Sequence, residues 1–378
     1  MIKLGDIGKI LTGNTPKTSE TENYNSDDIC FVKPSDILGN DISYINDSEF
    51  YISETARSKA RILPIQSVLV TCIGIIGKVA INQVECAFNQ QINAIIPNLK
   101  KCLPSYLAYA IQYRKEQMQD IANAAVVPIL NKTQFSNIEI NLPSLDKQHE
   151  TITVLCKIGK LISLRKQQLT KLDELVKARF VEMFGNITET VPLSYYISAL
   201  SAGKSLAGEK ECTNKVLKTG AATYDEFDPT QIKNLPTDYI PQADHLLKTG
   251  DIIISRMNTL ELVGATAYVW EAPQNTYLPD RLWRAEINKN TCPVFVWQLL
   301  IQNSSKDEIR KIASGTSGSM KNISKPGLLG ICVKKVECEA QKEFSIFVEQ
   351  THRQKLTIQQ SLDKLEVLKK SLMQEYFG

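Results

Sequence analysis

Catalytic chemistry is what this sequence lacks most plainly. Its three histidines, His149, His245 and His352, stand far apart, without the spacing of metal ligands. No Walker loop or dinucleotide fingerprint is present. Ile73-Gly74-Ile75-Ile76-Gly77-Lys78 has two glycines but not the spacing of a phosphate loop. Pro279-Asp280 with Glu286 comes near a nuclease metal site, yet Asn288 stands where the usual lysine would be. The Asn-Pro-Pro-aromatic stretch of amino-methyltransferases is missing. The nine cysteines are odd in number and show no CxxC spacing, which reads as reduced, mostly buried thiols. There is no run of about 18 uncharged apolar residues to span a membrane. The opening Met1-Ile2-Lys3-Leu4-Gly5-Asp6 lacks the apolar run of a signal peptide. The expectation is a non-catalytic protein of the cytoplasm, with no metal, no cofactor and no membrane attachment.

Strong charge of either sign is also missing. The 378 residues carry a net charge of +3. Lys and Arg against Asp and Glu number 13 to 14 over residues 1–142 and 17 to 17 over 186–340; the excess, 8 to 4, falls in 147–185. No domain is basic as a whole, so any phosphate-binding surface must come from local clustering. Two stretches without acids qualify: residues 55–84, with Arg57, Lys59, Arg61 and Lys78, and residues 309–336, with Arg310, Lys311, Lys321, Lys325, Lys334 and Lys335. Each reads equally well as a solvated face. At 43% hydrophobic, the chain is able to bury real cores, and its length predicts two or three units.

What is present is a repeat. Residues 147–185 and 340–378 match without a gap at an offset of 193, sharing Gln148/Gln341, Glu150/Glu343, Leu169/Leu362, Leu172/Leu365 and Leu175/Leu368, and both end in Phe-Gly. Both copies are free of proline. In the first, Leu155, Ile158, Ile162, Arg165, Leu169, Leu172, Val176, Arg179 and Met183 alternate steps of three and four, a heptad seam. The second seam is Val348, Thr351, Lys355, Ile358, Leu362, Leu365, Lys369, Leu372 and Tyr376. Leu161, Leu164, Leu175 and Leu368 lie off the seam and predict packing against more than one neighbour. Two helices of roughly 50 Å are expected to pair antiparallel, with a globular unit at each end. The plainer reading is a helix that packs on its own domain. Pro143 and Pro326 stand ahead of the helices as breakers, and Gly185 sits at a cap position.

The globular parts, 1–142 and 186–339, read as mixed α/β (α+β). Ser67–Ile73, Gln91–Pro97, Asp251–Arg256 and Thr266–Trp270 have strand composition, and Leu103–Gln119 and Val294–Asn303 have helix composition. Ile129–Lys132 and Asn322–Lys325 fall at the same offset of 193, just before Ile138 and Ile331.

With the order globule, helix, globule, helix, the chain resembles the specificity subunits of type I restriction–modification systems over its whole length. The resemblance is carried by Leu4-Gly5-Asp6-Ile7 with Thr12-Gly13-Asn14-Thr15-Pro16, by Phe31–Ile37, by Ile76-Gly77-Lys78 with Asn89-Gln90, and by Ile140–Leu145 followed by Gln148 and Glu150. In the second half Gly250–Arg256, Leu262-Val263-Gly264 and Leu278–Arg284 carry it; Lys334–Glu337 departs from the Leu-Pro-Ser-Leu of the first helix entry. The resemblance implies target recognition domains at 1–142 and 186–339, and conserved helices at 143–185 and 340–378. Each domain would read one half of a bipartite, asymmetric site in double-stranded DNA. The helix pair would fix the spacing and dock two methyltransferase subunits, and motor–nuclease subunits would join through the complex.

Base and phosphate contacts need donors. The candidates are Lys33, Lys78, Asn89, Gln90, Arg256, Asn258, Arg281, Arg284 and Lys321. Arg281 and Arg284 read equally as partners of Asp280 or Glu286 in structural ion pairs. The helix-pair and partner interface is expected at Leu155, Ile158, Ile162, Leu169, Leu172, Val176, Ile358, Leu362, Leu365 and Leu372. A coiled-coil scaffold with no DNA role is the alternative, but it leaves the duplicated order unexplained. A nuclease or methylase fused to its own reader would need motifs that are not found.

Overall fold

The computed structural model describes residues 1–39, 41–122, 127–315 and 320–378. The chain divides into two compact units, residues 1–166 with 360–378, and residues 167–359. Each unit holds one globular part and a segment of both long helices.

In the first unit a five-stranded sheet runs in the order Gly8–Thr12, Ile92–Pro97, Val68–Thr71, Val79–Asn82, Ser43–Ile45. Val68 to Thr71 is buried throughout, which is why it reads as a continuous apolar run instead of an alternating one. One face packs against the helix Pro104–Tyr113 through Val68, Val70, Ile95, Leu107 and Ile111. The other shares a core of Leu69, Ala80 and Ile92 with Val32, Leu63 and Phe88. These last belong to a four-stranded sheet, Tyr51–Ile52, Ile29–Val32, Cys86–Phe88, Ile62–Leu63. The second unit repeats the first four strands of the larger sheet in order: Ile197–Ser201, Leu282–Ile287, Ile252–Ser255, Thr266–Tyr268.

The expected helices are shorter than their composition suggested. Leu103–Gln119 is broken at Arg114, where ψ swings to 10°, into Pro104–Tyr113 and Lys115–Ile121. Val294–Asn303 becomes Pro293–Leu300, followed by a separate helix Asn303–Ile312. Pro326 opens the short helix Lys325–Gly330 and does not adjoin the last long helix, which begins at Cys338.

The repeat extends into hydrogen bonds that sequence identity does not reveal. Gln148 Oε1 accepts from Leu103 N at the start of one short helix, and Gln341 Oε1 accepts from Cys292 N at the start of its counterpart. The Gln148 amide donates to Pro143 O, and that of Gln341 donates to Val336 O. Asn131 and Ser324, 193 apart, cap the helices Lys132–Ser136 and Lys325–Gly330. Leu4 N donates to Ile138 O, as Leu193 N does to Ile331 O.

Both long helices are 40 residues, Leu145–Phe184 and Cys338–Phe377. In the first unit Leu155 shares a core with Leu372, Tyr376 and Phe377, and Lys166 pairs with Glu366 at 2.9 Å. In the second, Val176, Phe180 and Phe184 pack with Phe344 and Val348. There Lys355 meets Asp173 at 2.6 Å and Arg179 meets Glu343 at 2.7 Å. Within each unit the two segments therefore run antiparallel. Every seam position is buried or half-buried, whereas Leu161, Leu164, Leu175 and Leu368 are exposed. None of these four leucines belongs to a core cluster of the described residues. No helix among the described residues is long and apolar enough to cross a membrane.

Candidate nucleic-acid interface

Strand direction brings the first-unit candidates together. Ile29–Val32 and Cys86–Phe88 are parallel, with Val32 opposite Phe88, so Lys33 and Asn89 leave the sheet at the same end. The strand Val68–Thr71 finishes opposite Ile92, beside Gln90 and Gln91. Cys72 N donates to Gln91 O at 2.8 Å. Gly8–Thr12 ends there too, and Thr15 Oγ1 donates to Gln90 Oε1 at 2.7 Å. Gly13 lies so close to the Phe88 and Asn89 carbonyls that any Cβ would overlap them. Lys78 Nζ reaches Pro34 O at 3.3 Å. One end of the domain thus carries Thr12–Pro16, Lys33, the turn Cys72–Lys78 and Asn89-Gln90.

The residues at this end differ in what they offer. Gln90 is exposed, and Lys33 and Lys78 are half-exposed. Lys33 Nζ stands 3.0 Å from the centre of the Phe50 ring, which holds the ammonium without neutralising it. Asn89 is buried; its side chain bonds to Gln91 through both Nδ2 and Oδ1, at 2.9 and 3.1 Å, and shapes the turn.

The second unit builds the same end from different residues. Arg256 follows the strand Ile252–Ser255 as Cys72 follows Val68–Thr71: its N donates to Arg281 O, and its O accepts from Ile323 N, as Cys72 O accepts from Leu130 N. A two-stranded ribbon, Met257–Asn258 with Lys321–Asn322, places Asn258 opposite Lys321. Arg256, Asn258, Arg281 and Lys321 are therefore neighbours. Arg281 is exposed, and Lys321 Nζ donates to Gly315 O at 2.7 Å. Arg256 Nε is buried without a hydrogen-bond partner, one of four such side-chain atoms among the described residues. A buried donor of this kind remains open to an acceptor.

Arg284 does not join them. It is 9% exposed, donates to Asp244 O and Leu246 O at 2.6 and 3.1 Å, and pairs with Glu286 at 3.3 Å and Asp251 at 3.6 Å. Of its two sequence readings, the geometry realises the structural ion pair with Glu286. In each acid-free stretch half of the named cations are paired with acids from outside it. Arg57 pairs with Glu54 and Glu85, and Lys59 with Glu20 and Glu22. Arg310, Lys311 and Lys335 pair with Asp307, Glu308 and Glu189. Of the Ser314–Ser319 run, residues 316–319 lie outside the described residues.

Residues 1–174 match the family described as type I restriction modification DNA specificity domain. The chain is 31% identical over 188 residues to the type I restriction enzyme MjaIX specificity subunit of Methanocaldococcus jannaschii, a match covering 49% of this chain and 42% of that protein. It is 30% identical over 188 residues to the HindI specificity subunit of Haemophilus influenzae, covering 48% and 40%. The matched segment thus spans about two fifths of the length of these relatives. The S subunit structure from M. genitalium aligns over 100% of this chain and 95% of that one, with a TM-score of 0.61 at 13% identity, so the likeness there is one of fold. The first half of the chain thus matches the type I restriction modification DNA specificity domain, and the whole chain shares the fold of a solved S subunit.

Proposed function

We propose that this chain supplies sequence specificity to a type I restriction–modification complex. Residues 1–142 and 186–339 each read one half of a bipartite, asymmetric site in double-stranded DNA. The helices set the distance between the halves and dock two methyltransferase subunits, through which motor–nuclease subunits join. The chain itself catalyses nothing, needs no cofactor and acts in the cytoplasm. The observation that supports this reading is the placement of donors. Lys33, Lys78 and Gln90 in one unit, and Arg256, Asn258, Arg281 and Lys321 in the other, gather around the equivalent end of each unit's larger sheet. A methylation profile of cells expressing the chain with its methyltransferase tests it. A split, asymmetric motif that disappears with the chain supports the reading. Unchanged methylation with an active methyltransferase returns the scaffold alternative.

Arg256→Ala is expected to weaken binding of the assembled complex by about tenfold to a hundredfold, the worth of roughly 1–3 kcal/mol for a good base contact. The loss should be confined to the second half-site. Binding to duplexes altered in one half-site at a time measures it.

The exposed leucines carry the proposal for partners. Leu175 and Leu368 are equivalent in the repeat, one in each unit, and are 48% and 46% exposed. Leu175→Asp is expected to weaken one methyltransferase contact by about tenfold or more, as the loss of an interface anchor does, and Leu368→Asp the other. The mass of co-expressed complexes should fall by one methyltransferase in each variant and by two in the double variant.

A further inference from the structure

We propose that Ile75 contacts the 5-methyl group of a thymine in the half-site bound by the first domain. This inference rests on the DNA-reading role proposed above.

The turn Cys72–Lys78 lies among the donors of the first unit, and its tip is built to turn one isoleucine outward. Gly74 and Gly77 both have positive φ, +74° and +85°, a conformation that favours glycine. Between them Ile76 points inward and is 2% exposed, while Ile75 is 63% exposed. The tip is not loose. The fully buried Thr71 donates its hydroxyl to Ile75 O at 2.5 Å and accepts from Lys78 N at 3.0 Å. Thr71 O accepts from Gly77 N at 3.0 Å. Gly74 N donates to Pro128 O at 3.1 Å, and Ile73 bridges Ile129. Pinned on both sides, Ile75 loses little freedom when it meets a surface.

The surroundings decide what that surface is. Lys78 directly follows the turn, Gln90 is reached through the Cys72–Gln91 bond, and Lys33 leaves the adjoining sheet at the same end. These groups offer donors, and the base edges and phosphates of duplex DNA offer acceptors. On the edges of the major groove the thymine methyl is the apolar feature. An isoleucine held rigidly within a set of cations and amides matches that pattern. The equivalent end of the second unit also exposes aliphatic side chains, Leu260 and Met320, next to Asn258 and Lys321 in the ribbon region.

The test uses the complete complex and a duplex carrying its own methylation motif, with each thymine of the first half-site replaced in turn by deoxyuridine, which lacks only the methyl group. At one position the wild-type complex is expected to lose about fourfold in affinity, the worth of one buried methyl. Ile75→Ala should lose a similar factor on thymine DNA and nothing further on uracil DNA at that position, so that the two changes do not add. Indifference of the wild type to every replacement, additive losses, or a first half-site without thymine on either strand overturns the inference and leaves the DNA-reading role standing. Failure of Ile75→Ala to assemble with the methyltransferase also overturns it, since the side chain would then belong to a protein contact. Absence of any sequence-selective binding by the wild-type complex removes the inference together with the role it rests on.

Discussion

Replacing Arg284 by alanine is expected to destabilise the second unit by about 3–5 kcal/mol, the cost of breaking a buried ion pair from one side, while leaving the salt dependence of DNA binding unchanged. The guanidinium holds two backbone carbonyls, Asp244 O and Leu246 O, and two carboxylates, Asp251 and Glu286. Its loss strands Asp251, whose side chain is 14% exposed. Burial pushes the Asp251 carboxyl above the ordinary range, against the Lys248 backbone N–H and the Arg284 charge, which pull it down. A carboxyl raised on folding stabilises the fold relative to the unfolded chain when protonated, and that contribution disappears as pH rises through the raised value. Without Arg284 the carboxyl climbs further, so the deficit of the variant should be widest near neutrality and narrow as pH falls toward the ordinary carboxylate range. Denaturant unfolding at several pH values measures this. A deficit that does not change with pH would mean that lost packing, and not the stranded carboxylate, sets the cost. If the salt slope of binding drops by about one unit, Arg284 reaches a phosphate after all.

The contrast between Arg284 and Arg256 shows what a sequence withholds. Arg284 lies on one strand of a sheet and Arg256 directly follows its neighbour, and spacing alone gives them equal standing as base contacts. What separates them is partners brought in from elsewhere: Asp244, Leu246 and Asp251 close around Arg284, while Arg256 Nε meets nothing. The acid-free stretches misled in the same way, since Glu20, Glu22 and Glu189 arrive from outside them to neutralise Lys59 and Lys335. Asn89 reads in the sequence as a base contact, whereas in the fold its side chain bonds Gln91 within the turn. The helices, by contrast, were legible to within a few residues, because a heptad seam and an ungapped offset survive in sequence. The duplication of the globular parts was legible only at the Ile129 and Asn322 join. Its clearest marks are backbone bonds made by Gln148 and Gln341, Asn131 and Ser324, at an offset that shifts within the repeat. The off-seam leucines read as packing against more than one neighbour. They remain exposed within this chain, which moves them from the fold to the proposed partner surface.

The same repeat predicts where the long helices matter most for stability. Each ends in Phe-Gly, and both phenylalanines are buried, Phe184 fully and Phe377 to within 1%. Phe377 packs on Tyr106 at 5.2 Å in the first unit, and Phe184 packs on Phe295 at 5.5 Å in the second. Phe184 also meets Phe180 and Phe344, at 5.1 and 5.4 Å, and Phe377 O accepts from Arg114 at 3.1 Å. Phe184→Ala and Phe377→Ala are each expected to cost about 3–5 kcal/mol, as large-to-small changes in a packed core do. The cost should fall on different units. All three tryptophans, Trp270, Trp283 and Trp297, lie within residues 167–359, so tryptophan fluorescence reports the second unit alone. Phe184→Ala should move the fluorescence transition to lower denaturant. Phe377→Ala should leave that transition in place and move an earlier phase of the far-UV circular dichroism. If both variants shift both signals equally, the two units unfold as one block, because the helices they share transmit the loss from either end.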